Sequence, residues 1–311
     1  MLWGGFQIKH IPVLLDEAVG YLINYPKGTF IDCTFGQGGH SKEILKRIDK
    51  SSKLIAFDLD SEARKASRKV SNSNFKFIQD NFKNIGNYFK DNSVDGILID
   101  CGVSSPQLDN LSRGFSFHGN ANLDMRFGQS VERSCKEIVN TYSEKDLKRI
   151  FKDYGDEKYS SKIAKKIIIE RDKTEIITTN QLVEIIASVK KIRKKIHPAT
   201  QVFQALRMEV NDEIRNLQSC IEASKKILKQ GGRLVVISFH SLEDKIVKSA
   251  FKYLDKAHEK DIPLREDQVD TPEYKMSKIF TPKQEEIHFN PRSRSSKLRV
   301  IEKLWNLKLY Q

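Results

Sequence analysis

At 311 residues, 39% of them hydrophobic, the chain is long enough for one large domain or two ordinary ones with a real core, which excludes a disordered or fibrous protein. Lys and Arg outnumber Asp and Glu by 54 to 41, giving a formal net charge of +13 and favouring a polyanionic partner over a cationic one. No apolar run approaches a membrane span, residues 1–7 lack the pattern of a signal peptide, and Cys33, Cys101, Cys135 and Cys220 form no C-x-x-C pair. Neither a zinc site nor a disulfide framework is therefore expected, and a reducing cytoplasm is the simplest setting.

An extended entry, His10-Ile11-Pro12-Val13-Leu14, leads into an amphipathic helix whose Leu15, Val19 and Leu22 share one face. Strands then alternate with helices. The expected strands are Thr29–Asp32, Lys53–Phe57, Phe75–Ile78 and Val94–Ile99, with helices from Ser41 to Ile48, Ser61 to Val70 and Asn84 to Phe89. This alternation predicts a parallel α/β sheet with right-handed crossovers.

The first strand ends in Asp32-Cys33-Thr34-Phe35-Gly36-Gln37-Gly38-Gly39-His40-Ser41. Glycines there allow a sharp turn and close approach of a ligand, but Ser41 occupies the last position of a G-x-G-x-x-G fingerprint. Asp58 closes the second strand where an acidic group accepts hydrogen bonds from a ribose, with Asp60 as the near alternative. Gln79-Asp80-Asn81-Phe82 closes the third and offers an adenine a polar contact and an apolar face. The fourth strand runs into Asp100-Cys101-Gly102-Val103-Ser104-Ser105-Pro106-Gln107, a carboxylate, a glycine, two hydroxyls and an amide at a strand end. No phosphate-gripping G-x-x-x-x-G-K-[ST] occurs. A nucleoside pocket with little phosphate recognition, and with Asp32 and Asp100 suited to cationic groups, suggests S-adenosylmethionine.

After Gln107 the sheet pattern stops. An aromatic-rich loop containing Phe115, Phe117 and Met125 precedes helices that open at Ser143, near Tyr159 and near Thr179, an all-helical insertion. The last of these runs into Lys190-Lys191-Ile192-Arg193-Lys194-Lys195, attractive to phosphates. From His197-Pro198 a single long helix is expected, with Val202, Leu206, Val210, Ile214, Leu217 and Ile221 as its apolar stripe and Gln201, Gln204 and Arg207 off it. Gly231-Gly232 ends it, and Arg233–Ser238 is a fifth strand leading to Phe239-His240-Ser241-Leu242-Glu243-Asp244. Ser241, Glu243 and Asp244 read as a helix N-terminus; His240 is left over by that reading. A hairpin ending in Leu298–Ile301 closes the sheet, preceded by the basic turn Arg292-Ser293-Arg294.

With these blocks in view, the chain resembles the bacterial small-subunit ribosomal RNA cytosine-N4 methyltransferases of the MraW/RsmH type over nearly its whole length. The resemblance rests on His10–Leu14, Gly38-Gly39-His40-Ser41, Gly102–Asp109, Arg113-Gly114-Phe115-Ser116-Phe117, Leu123-Asp124-Met125-Arg126, His197–Thr200, Phe203–Arg207, Ser238–Asp244 and Asn290–Ser295. It implies a class I, Rossmann-like methyltransferase sheet over 1–112 and 209–311, interrupted by a helical RNA-recognition domain over 113–208. It implies S-adenosylmethionine as cofactor, contacted by Gly38, Gly39, His40, Asp58, Phe82, Asp100 and Gln107. The substrate it implies is a cytidine in the decoding region of 16S rRNA within the small ribosomal subunit. No membrane or metal partner is expected, and the chain is expected to be a monomer or homodimer.

For that chemistry the expected catalytic residues are Asp100, Ser104 and Ser105, which accept the amine hydrogens, with His240 carrying the released proton or holding the base. Phe115 or Phe117 is expected to stack on the flipped base, and Lys190 to Lys195 and Arg292 to Arg294 to hold the RNA backbone. Two rivals remain at this point. A nicotinamide dehydrogenase is disfavoured by Ser41, and a non-catalytic RNA-binding or ribosome-assembly protein requires a vestigial cofactor pocket.

Overall fold

A computed structural model describes residues 12–190, 197–252 and 273–305. The chain forms two compact units, Met1–Gly102 with Asn216–Gln311, and Val103–Arg215. Its strands are β1 (Thr29–Asp32), β2 (Lys53–Phe57), β3 (Phe75–Ile78), β4 (Val94–Asp100), β5 (Leu228–Ser238), β6 (Tyr274–Met276) and β7 (Lys297–Lys303). Helices α1 (Leu15–Leu22), α2 (Gly39–Arg47) and α3 (Ser61–Ser67) accompany the first strands. Next come α4 (Ser105–Asp109), α5 (Cys135–Thr141), α6 (Glu144–Asp153), α7 (Ser160–Arg171), α8 (Thr179–Val189) and α9 (Thr200–Val210) of the second unit. The series closes with α10 (Glu213–Ile227), α11 (Ser241–Lys252) and α12 (Gln284–Phe289). Among the described residues, no helix is long and apolar enough to cross a membrane.

The first unit carries one seven-stranded sheet in the order β3-β2-β1-β4-β5-β7-β6. The first five strands are mutually parallel, and β7 is antiparallel to both β5 and β6. Alternate residues serve opposite faces. Phe30, Leu54, Leu98, Val235 and Ile237 pack with Ala18, Val19 and Leu22 of α1 and Ile44 of α2. Ile31, Ile55, Ile97, Ile99, Leu234 and Val236 pack with Leu217, Cys220 and Ile221 of α10 and Val247 and Phe251 of α11. Two-sided burial is why Ile97-Leu98-Ile99 and Leu234–Ile237 read as continuous apolar runs rather than alternations. Each such side chain contributes about 1.5–3 kcal/mol, against about 1 kcal/mol for a helix cap, so burial holds the sheet. This is the α/β class I methyltransferase architecture.

The second unit is helical. Leu147, Ile150 and Phe151 of α6, Ile163 and Ile167 of α7, Leu182 and Ile186 of α8, and Val202 and Leu206 of α9 share one buried core. Helices α6 and α8 start on side-chain caps: Ser143 accepts from the Asp146 N–H, and Thr178 is matched with Gln181, whose Oε1 accepts from the Thr178 N–H at 2.9 Å. Val103 and Leu108 pack against this core, which draws the unit's start to residue 103 where the sequence placed it at 113.

Four elements depart from expectation. The single helix expected from His197 is broken at Asn211 and Asp212 into α9 and α10, Asp212 taking φ 49°. Buried Asn211 makes the corner: its Nδ2 donates to the carbonyls of Met125 (2.8 Å) and Arg207 (2.9 Å), and its Oδ1 accepts from the Phe127 N–H (2.7 Å). Arg207 then clamps the far side through a bidentate pair with Glu213. Helix α4, helix α5 behind its Ser134–Glu137 capping box, and the short α12 were not anticipated. The closing strands pair as expected, though through a long connection.

Candidate active site

The carboxyl ends of β1, β2, β4 and β5 carry a cluster of the first unit's acids and histidines, several of them buried. Asp32, at the end of β1, is 1% exposed. Its Oδ2 accepts from the Ser41 hydroxyl at 2.6 Å and its Oδ1 from the Thr34 N–H at 3.1 Å, tying the strand end to α2 across the glycine turn. Burial pushes its carboxyl above the usual range, with Ser41 and Thr34 opposing. Gly38 caps α2 in the left-handed region at φ 75°. A Cβ on Gly39 would stand 2.1 Å from the Pro12 Cγ, so this turn tolerates no side chain there. His40 is buried, and its Nε2 lies 3.1 Å from the Val13 carbonyl; because a carbonyl only accepts, Nε2 carries the proton. The other ring nitrogen faces the Asp100 Oδ2 at 3.7 Å.

Asp58 follows β2. Its Oδ2 accepts from the Gly36 N–H at 2.8 Å and its Oδ1 from the Asp60 N–H at 2.9 Å, leaving each oxygen a further lone pair. Burial pushes its carboxyl up to about 6, with the charges of Asp60 and Asp32 adding to the rise and the two N–H groups opposing it. Asp60 is turned to cap α3 by accepting from the Glu62 N–H, so of the two acids weighed for a ribose, Asp58 has the open position. Beyond β3, Asp80 is occupied by Asn81, Asn84 and Tyr88, while the Phe82 ring is partly buried against the core.

Asp100 ends β4, its N–H donating to the Thr34 hydroxyl at 2.8 Å. Its Oδ1 is buried and has no hydrogen-bond partner among the described residues. Burial first, then the charges of Asp32 and Glu243, raise its carboxyl well above the usual range. β4 and β5 run in register with Asp100 beside Ile237, three residues before His240. Glu243, 3% exposed, accepts from the Phe239 and His240 N–H groups at 2.8 and 3.0 Å. His240 Nδ1 accepts from the Leu242 N–H at 3.3 Å, so the imidazole serves the α11 N-terminus. Asp244 is not a free dipole acid; it pairs with Arg299 and Lys297.

The structure thus gathers Gly38, Gly39, His40, Asp58, Asp100 and His240 at one edge of the sheet. Ser104, Ser105 and Gln107 come together at the start of α4 in the other unit. There the buried Gln107 Oε1 accepts from the Ser104 N–H at 2.9 Å. Thr34 and Glu243 were missed as site residues. The first gives no sequence signal beyond being a hydroxyl in a glycine turn, and the second has the sequence pattern of an acid on a helix dipole.

Several expected RNA contacts are redirected. Phe115 is 5% exposed and stacks on Phe127 in the helical core, so it is not available to a base. Phe117 lies parallel to His197, centroids 4.5 Å apart. Lys190 is drawn inward to Glu157 (2.6 Å), Gln201 (2.9 Å) and the Pro198 carbonyl, so it braces the helical unit rather than meeting phosphate. Residues 191–195 of that basic run, like His10 and Ile11, lie outside the described residues. Gln204 reaches the Tyr154 carbonyl and Arg207 is held by Glu213. Arg292 and Arg294 are exposed.

Four carboxylates, three of them raised or raising one another, with one orphaned oxygen, form a site that a cation relieves. A sulfonium cofactor that also carries an ammonium group and a ribose diol fits this donor set. Among the described residues, no group of three or more His, Cys, Asp or Glu side chains is placed to hold a metal ion.

Comparison with known proteins agrees in kind. Residues 7–304 match the model of the MraW methylase family. The ribosomal RNA small subunit methyltransferase H of Caldicellulosiruptor saccharolyticus is 43% identical over 310 residues, covering 95% of this chain and 99% of that protein. The Clostridium botulinum (strain Loch Maree) protein of the same name is 44% identical over 96% of this chain and 100% of its own. That of Clostridioides difficile is 42% identical, again over 96% and 100%. With an α/β methyltransferase sheet and an acid-lined strand edge suited to a sulfonium, this chain belongs to the MraW methylase family.

Proposed function

We infer that the chain is an S-adenosylmethionine-dependent methyltransferase acting on the exocyclic N4 amine of a cytidine in the decoding region of 16S rRNA. The observation that carries the reading is the Asp100 carboxylate, buried at a strand end with one oxygen unpartnered. When bound, the cofactor supplies an electrophilic methyl group on a cationic sulfur. Asp58 accepts the ribose hydroxyls on its remaining lone pairs, Gly38 and Gly39 admit the cofactor close to the backbone, and Phe82 offers a face to the adenine. His40 lies beside Asp100 with its Nδ1 3.7 Å from Oδ2, and Gln107 adds a polar contact from the chain that follows.

The amine of cytosine is a weak nucleophile because its lone pair is delocalised into the ring. Asp100 accepts one amine hydrogen, favouring a pyramidal nitrogen aligned for transfer. Ser104 and Ser105, four and five positions further along the chain, are assigned the same task; sequence proximity supports this. His240 is assigned to proton release, and its ring is already oriented by Leu242. The helical unit is the RNA-recognition domain, and the protein works in the cytoplasm, as monomer or homodimer. The non-catalytic alternative finds no support, since the relatives are named as methyltransferases.

The test is transfer of labelled methyl from the cofactor to small-subunit particles and to naked 16S rRNA, followed by nucleoside identification. N4-methylated cytidine, lost in Asp100→Ala and Ser105→Ala with the cofactor still bound by the latter, is the expected result. Methyl on another atom, or full turnover in Asp100→Ala, overturns the assignment.

A further inference from the structure

The opposite edge of the same sheet, where the parallel strands begin, carries a second polar surface that methyl transfer does not use. Thr29 of β1 pairs with Lys53 of β2, whose N–H donates to the Gly28 carbonyl at 3.0 Å. The Thr29 N–H donates to the Asp95 Oδ2 at 2.7 Å, and Lys229, on β5, pairs with Asp95 at 2.8 Å. Lys27, Gly28, Thr29, Ser51, Lys53 and Lys229 line a cavity of about 410 Å³. Lys27, Lys50 and Lys53 are exposed. Of the acids alongside, Asp95 is committed to Lys229 and Asp49 to the Ser51 hydroxyl and N–H at 2.7 Å. Three lysines line this concavity; with Lys229 paired to Asp95, Lys27 and Lys53 leave it positive.

A second observation adds to the charge. Tyr25 is 67% exposed and Trp305 58% exposed. Asn24 donates from Nδ2 to the Gly231 carbonyl at 3.3 Å, and the Trp305 indole lies 3.2 Å from where a Cβ of Gly231 would be. Trp305 therefore lies against β5 two residues beyond Lys229, and exposed Tyr25 stands in the chain between Asn24, which is tied to the same stretch of β5, and Lys27 of the cavity. An exposed aromatic alone is ordinary, but one against β5 and another two residues before Lys27, together with a lysine-lined cavity, have the composition of a single-strand nucleic-acid platform. A strand of four residues separates this edge from Asp32 by about 10 Å, so the platform is distinct from the carboxylate site.

We propose that this edge is a second RNA-docking surface. An unpaired strand stacks its bases on Tyr25 and Trp305 and seats its phosphodiesters among Lys27, Lys53 and Lys229. It rests on rRNA being the substrate, and gives the enzyme a hold on RNA remote from the target base.

The experiment uses the full chain and a short unpaired oligoribonucleotide followed by fluorescence anisotropy across a salt series. In the doubly substituted Lys27→Glu, Lys53→Glu protein, affinity falls at least about tenfold and the slope of log affinity against log salt shrinks by about 1.4. In Tyr25→Ala with Trp305→Ala, affinity falls about tenfold or more while the slope holds, because stacking releases no counterions. Both variants keep wild-type affinity for S-adenosylhomocysteine, which reports folding of the sheet. Unchanged RNA affinity in both variants overturns the proposal. Displacement of RNA by inorganic phosphate beyond an ionic-strength control, with no effect of the aromatic substitutions, overturns it in favour of a small phosphate ligand. Polyglutamate binding that depends on the same lysines overturns it in favour of an acidic protein. Failure of the wild type to methylate small-subunit RNA refutes the substrate reading instead, so the two failures are told apart.

Discussion

Replacing Asp58 by Asn separates the cofactor's ribose contact from the stability of the fold. The carboxyl sits at about 6 where 3.8 is ordinary, so the folded protein holds this proton more tightly than the unfolded chain does. Stability contributed by the site therefore falls as pH rises through the window between those values, by about 3 kcal/mol in all, and is not regained above it. A ribose diol needs the ionised form as acceptor. With the group about nine-tenths protonated at pH 5 and about nine-tenths ionised at pH 7, S-adenosylhomocysteine binds about tenfold more weakly at pH 5 on this account alone. Asp58→Asn removes that contribution. It keeps one acceptor for the Gly36 or Asp60 N–H and turns an amide donor towards the other, at a cost of about 1–3 kcal/mol that offsets the relieved burial of charge. At pH 8 the variant melts close to the wild type yet binds cofactor product about 10- to 150-fold more weakly, for one charge-assisted bond lost. Calorimetric titration between pH 5 and 7 on both proteins is the assay. An equally steep pH dependence in Asp58→Asn, or wild-type affinity in it at pH 8, refutes the reasoning.

Other perturbations follow from neighbouring contacts. Gly39→Ala drives a methyl group into Pro12 and costs about 1–3 kcal/mol, read as a lowered denaturant midpoint. Asn211→Ala leaves the Met125 carbonyl and the Phe127 N–H without their partner at the α9–α10 corner, so it should destabilise by about 2–4 kcal/mol in urea unfolding; a loss below about 0.5 kcal/mol refutes the corner's role. Glu243→Gln withdraws a negative charge from Asp100, lowering that carboxyl, so the acid limb of the methyl-transfer pH profile moves to lower pH. An unmoved limb would show that Asp100 does not govern it.

The central strands β4 and β5 were legible because burial on both faces writes Ile97–Ile99 and Leu234–Ile237 as unbroken apolar runs, while β1 to β3, which fall on the expected residues, were legible from their alternation with helices. The break between α9 and α10 was not, because the apolar stripe from Val202 to Ile221 continues unperturbed through Asn211. Only the tertiary partners Met125 and Phe127 reveal why that residue turns the chain. Within the site, Asp58 and Asp100 stood out as acids at strand ends. Glu243 did not, since an acid in a first helical turn has a sufficient local explanation until its burial beside the β5 end is seen. Lys190 misled in the opposite direction. Its place in a basic run concealed an inward pair with Glu157 that local sequence cannot encode.

The buried Asp32 carboxylate, holding Ser41 and Thr34 at once, gives the glycine turn its shape before any ligand arrives. A receptor loop set in advance spends none of the binding free energy on ordering itself, so the cofactor's affinity reflects its contacts more fully. Its association should then be a single fast step limited by encounter, without the lag of a loop that folds around its guest.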